Sequence, residues 1–168
     1  MSKPNTLRVT QLIAVLFSIT KLALDIFFVL NNHYSVQTAL FGVGVQKDVL
    51  PTDIKLGLII EAIIISAPIG ILSAVNYVKT DMTKKRGKST VAAAGTIFLV
   101  DFLSSVFLHS YVLKYLTKKY DEIITSMITA MNSVRSMTGL LSCAALIMIC
   151  CCGAVEIYGG SLADSKHT

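Results

Sequence analysis

The sequence predicts an all-α protein: an integral membrane four-helix bundle whose third and fourth helices extend into a helical hairpin. Three observations predict it. The 168 residues are 54% apolar and 15% charged, and the mean hydropathy is +0.68. Four long apolar segments follow one another, and an amphipathic stretch separates the third from the fourth. Soluble domains carry roughly 25% charged residues, so this chain lacks the charge to cover a water-facing surface. Four spans of about 20 residues use about half of it, which leaves loops, tails and one four-span domain over residues 1–168.

The apolar segments lie at about 9–30, 56–78, 90–113 and 137–158. At 1.5 Å rise per residue each crosses a hydrocarbon core of about 30 Å as a helix. Backbone groups find no water in lipid, which leaves helix as the conformation for such segments. Lys21 and Asp25 interrupt the first segment, and no small-residue cleavage site follows, so it reads as a retained span rather than a signal peptide.

Basic residues gather where the apolar runs stop, which excludes nucleic acid as the meaning of the +5 net charge. Between the second and third segments stand Lys79, Lys84, Lys85, Arg86 and Lys88, with Asp81 alone against them; Lys3 and Arg8 precede the first segment. The first loop balances Lys47 and Lys55 with Asp48 and Asp53. The positive-inside rule then places both termini in the cytoplasm. Lys114, Lys118, Lys119 and Arg135, on the other side, oppose that bias.

From 116 to 135 the apolar residues Leu116, Tyr120, Ile123, Ile124, Met127, Ile128, Met131 and Val134 recur at helical spacing. Two structures fit: a hairpin turning near Lys118 to Asp121 that projects from the bilayer, or a helix lying flat in the interface. The hairpin is favoured, because no glycine or proline parts this stretch from the fourth segment.

The second segment carries Ala62, Ser66, Gly70 and Ala74 at a strict spacing of four, a ladder that admits a close helix neighbour. Contacts within the bundle are the plainer use of it, and a docking face for a partner helix the sharper one. Gly139 and Cys143 repeat the pattern briefly in the fourth segment, and Pro68 predicts a kink in the second.

Every span holds a carboxylate: Asp25, Glu61, Asp101 and Glu156. Charges at membrane depth are costly and face the protein interior. Gln11, Ala14, Ser18, Lys21 and Asp25 form one polar stripe, and Asp101, Ser105 and His109 another. Turning both stripes inward predicts an intramembrane polar cluster of Lys21, Asp25, Glu61, Asp101 and His109. Lys21 would pair with Asp25 one turn away and with Asp101 across the bundle. A register-fixing ion-pair network is the plainer reading, and a proton or cation site the sharper one. Glu156 is expected within reach of the headgroups.

All four cysteines, Cys143, Cys150, Cys151 and Cys152, fall in the fourth segment. Cys150, Cys151 and Cys152 are palmitoylation candidates, although small apolar packing suits their depth better. No metal set, cofactor motif or catalytic signature is present, so no enzyme is expected. The leading expectation is a non-enzymatic scaffold or accessory subunit with membrane lipids and a partner membrane protein, or copies of itself, as partners. The alternative is an oligomeric proton- or cation-conducting transporter built on the carboxylate–lysine cluster.

Overall fold

A computed structural model describes residues 3–30, 52–119 and 124–164. Among them are four helices: α1 (Asn5–Leu30), α2 (Thr52–Val78), α3 (Lys84–Lys119) and α4 (Ile124–Asp164). Each contains a stretch long and apolar enough to cross a membrane: Asn5–Leu30, Thr52–Val78, Lys84–Leu108 and Ser136–Leu162. The first loop, 31–51, with His33, Gly42 and Gly44, lies outside the described residues.

The helices alternate in direction. α1 packs along α2 and α4, α3 packs along α4, and α2 meets α3 over a shorter stretch; α1 and α3 do not touch among the described residues. They therefore occupy opposite corners of the bundle. The core joins Ala14 of α1, Ile65 and Ile69 of α2, Ala94 of α3, and Ala145, Leu146 and Ile149 of α4.

Polar side chains share the interior with apolar ones, and many large apolar side chains face outward. On α1 the buried residues are Leu7, Gln11, Ala14, Ser18 and Lys21, whereas Val9, Leu12, Leu16, Ile19 and Phe27 are exposed. α2 likewise buries Ser66, Ser73 and Asn76 and exposes Leu56, Ile60, Ile63, Ile64 and Ile71. Where the surrounding medium is itself apolar, burying leucine gains nothing over leaving it outside. Small and polar contacts then hold helices together.

α3 starts six residues earlier than the apolar run suggested, so Lys84, Lys85, Arg86 and Lys88 form its first turns rather than a loop. Thr83 makes this possible: its Oγ1 accepts from the Arg86 N–H at 3.4 Å, and its carbonyl accepts from the Gly87 N–H at 3.0 Å. α3 and α4 have 36 and 41 residues, about 54 and 62 Å of helix. Residues 120–123, where a turn is expected, lie outside the described residues, as do the side chains of the 116–135 face.

Glycines set the closest approach, that of α3 to α4. A Cβ added at Gly87 would stand 2.6 Å from the Gly153 carbonyl and 2.8 Å from the Ile157 nitrogen; Gly160 packs on the Lys84 backbone. The expected ladder of α2 works elsewhere. Ala62 and Ser66 are buried, and Gly70 faces the Ser18 hydroxyl, whose distance to an added Cβ would be 3.1 Å. Ser18 donates to the Ser66 carbonyl at 2.5 Å. Ala74 is exposed, and Gly139 faces open space. Pro68 lies within a continuous helix.

Candidate functional site

The polar residues divide into two groups at opposite ends of the bundle. At the end holding the N-terminal segment, Lys3 Nζ lies 2.5 Å from Glu156 Oε1, and Arg86 Nε donates to Glu156 Oε2 at 3.0 Å. The Lys3 side chain is 0% exposed, that of Glu156 1% and that of Arg86 16%. Lys3 Nζ also donates to the Asn76 carbonyl at 2.8 Å, and its backbone N–H donates to the Thr80 carbonyl at 2.7 Å. Thr90 Oγ1 donates to Asn76 Oδ1 at 3.4 Å. One carboxylate thereby ties the N-terminal segment, the end of α2, the start of α3 and the end of α4.

This clasp was not among the expected sites. The Glu156 side chain is buried: it sits on the inward face of α4 that also carries Ser142, Ala145, Ile149 and Cys152, and its two cations offset the cost of burial. That spacing of three and four was present in the sequence. Nothing in the sequence linked it to Lys3, 153 positions away, or to Arg86, 70 positions away.

The opposite end holds the residues singled out from sequence, in separate pairs. Lys21 Nζ donates to Asp25 Oδ2 at 2.6 Å within α1. The Ser104 hydroxyl of α3 donates to Glu61 Oε1 at 2.9 Å. Asp101 Oδ2 accepts from the Ser142 hydroxyl of α4 at 2.7 Å. The expected pairing of Lys21 with Asp101 does not form, because α1 and α3 stand at opposite corners and Ser142 takes the carboxylate instead. His109 lies on α3, with its side chain outside the described residues.

An apolar layer separates the two groups on every helix. Ala14 falls between Gln11 and Lys21, and Ile65 and Ile69 fall between Glu61 and Ser73. Ala94 falls between Thr90 and Asp101, and Ala145, Leu146 and Ile149 fall between Ser142 and Cys152. Ser18 bonded to Ser66 is the polar contact at this depth. Of the acylation candidates, Cys151 is exposed, Cys150 half-buried and Cys152 buried. Comparison with protein-family models, curated proteins and solved structures finds no match in any of the three.

Proposed function

We propose that this chain is a non-enzymatic, four-span membrane scaffold or accessory subunit, with both termini on the cytoplasmic side. The observation that carries the reading is the packed layer around Ile65, Ile69, Leu146 and Ile149 between two polar ends, which supports a structural role for the polar groups rather than a path between them. The exposed Leu, Ile, Val and Phe side chains of all four helices support insertion in lipid. Its partners would be lipids, copies of itself, or another membrane protein reached through the outer helix faces. The helix lengths of α3 and α4 support a projecting hairpin as a further contact, and Cys151 is the best-exposed position for an acyl chain.

The competing reading is an oligomeric proton or cation conductor. It draws on Lys21, Asp25, Glu61 and Asp101, gathered in one half of the bundle, and it requires the layer of Ile65, Ile69 and Ile149 to open. Flux into liposomes carrying the purified chain tests the two. The expected result is no proton or cation flux, with Asp101→Asn and Glu61→Gln lowering only thermal stability. Flux from the parent that both substitutions abolish in folded protein sinks the scaffold reading.

A further inference from the structure

Gln11 takes no part in the clasp, yet it is 1% exposed, and neither Nε2 nor Oε1 of its amide has a hydrogen-bond partner. Native interiors leave few buried polar groups unpaired, and each calls for an explanation.

The register of α1 against α2 shows what Gln11 faces. Ser18 donates to the Ser66 carbonyl and packs on Gly70. The two helices run antiparallel. Seven residues back along α1 and seven forward along α2 therefore return to the same two faces, two turns nearer the clasp. Those steps lead to Gln11 on α1 and to Ser73 and Tyr77 on α2. Ser73 is 0% exposed, and its hydroxyl is unpartnered too. From α4, Cys152 adjoins the Gln11 amide. A thiol is a weak partner, and this one donates to the Leu7 carbonyl at 3.9 Å. The core gives the same level independently: Gln11 stands three residues beyond Ala14, Ser73 four beyond Ile69 and Cys152 three beyond Ile149. Three helices thus bring an amide, a hydroxyl and a thiol together on the clasp side of the apolar layer.

The chemistry of these groups selects the ligand. Gln11 offers donor N–H groups and an acceptor oxygen, and Ser73 offers both in one hydroxyl. A cation would leave the donors unpaired, and an anion the acceptors. Water donates and accepts, and it bridges buried polar groups that stand beyond direct hydrogen-bonding distance. Gln11 and Ser73 stand in that relation: they are level and face one another, and no bond joins them.

We propose that an internal water molecule bridges the Gln11 amide and the Ser73 hydroxyl, with Cys152 as its third wall. It ties α1 to α2 two turns from the Ser18–Ser66 bond. The packed layer lies on one side of it, and Lys3 with Glu156 on the other, so the water is long-lived. The site depends on the packing of α1, α2 and α4 alone, and it stands or falls apart from the scaffold reading.

The test is magnetic resonance of the full chain in detergent. The sequence has three glutamines, Gln11, Gln37 and Gln46, so glutamine-labelled protein gives three side-chain amide signals, and Gln11→Met identifies the one it removes. Magnetisation is transferred from water to that amide, and dipolar transfer is told from proton exchange by its opposite sign in the rotating frame. A held water should give the Gln11 amide a dipolar cross-peak of the same sign as the protein's own. Ser73→Ala removes the hydroxyl, whose exchanging proton is the other source of such a signal, and leaves more room beside Gln11. There the cross-peak should keep more than half of its parent intensity. Ser73→Val fills the space and should abolish it. No cross-peak in the parent overturns the site. Loss in Ser73→Ala also overturns it, because the signal then came from the hydroxyl itself. A cross-peak unchanged by Ser73→Val puts the water elsewhere around Gln11 and overturns the bridge.

Discussion

Replacing Glu156 by glutamine tests whether the clasp holds the bundle end together. The substitution keeps the size of the side chain and removes its charge. Lys3, whose side chain is fully buried, then keeps a charge with no counter-ion, and Arg86 loses the carboxylate held at 3.0 Å. Removing one partner of a buried pair costs about 3–5 kcal/mol, chiefly because the other charge stays buried and uncompensated. Arg86 is part-exposed and recovers some solvation, so most of that cost falls on Lys3. Chains of this size lose about 2–4 °C per kcal/mol, which gives an expected fall of about 6–20 °C in the unfolding midpoint in detergent. A second variant separates charge from shape. Lys3→Met/Arg86→Met/Glu156→Leu removes all three charges and should recover most of the loss, since apolar replacement of a whole buried network is often neutral or stabilising. Glu156→Gln within about 2 °C of the parent, or a triple variant no better than the single one, refutes the reasoning.

Gly87→Ala should cost about 1–3 kcal/mol, because its Cβ meets the backbone of Gly153 and Ile157, which cannot give way without parting α3 from α4. Gly95→Ala on the same helix enters open space and should be neutral or stabilising by up to about 1 kcal/mol; paired melting curves check both. Ser142→Ala leaves Asp101 Oδ2 without its 2.7 Å donor and should cost about 1–3 kcal/mol. A melt unchanged from the parent would show that Asp101 is satisfied without Ser142.

The spans and the inward stripe of α1 were legible because each depends on one helix alone. Residue type and a period of 3.6 suffice to place Gln11, Ala14, Ser18 and Lys21 on a single face, and the structure buries all four. The local pair of Lys21 with Asp25 was legible for the same reason. Pairings between helices were not. Whether Asp101 meets Lys21 or Ser142 depends on which helices share an edge of the bundle, and a stripe does not encode that. The glycines that make the α3–α4 contact close were missed, although Gly153 and Gly160 repeat at seven on α4. Their significance comes from Gly87 and Lys84 of α3, whose helical start was hidden by four basic residues that read as a loop.

The same four basic residues bear on how such a chain is put together. Cations beside a span are read first as topology signals, a reading that treats them as solvated and interchangeable. Arg86 is neither: it is held at 3.0 Å by a carboxylate 70 residues away, while Lys84, Lys85 and Lys88 remain exposed. Lys3 differs from Arg8 in the same way, buried on Glu156 where Arg8 lies over the Tyr77 ring at 5.1 Å. At the start of α3, then, Arg86 closes the bundle while Lys84, Lys85 and Lys88 stay exposed. In lipid, where apolar contacts discriminate weakly between one helix arrangement and another, a buried carboxylate that requires both Lys3 and Arg86 can specify which helix ends come together. Glu156 makes such a contact at one end, and Asp101 with Ser142 and Glu61 with Ser104 make theirs at the other.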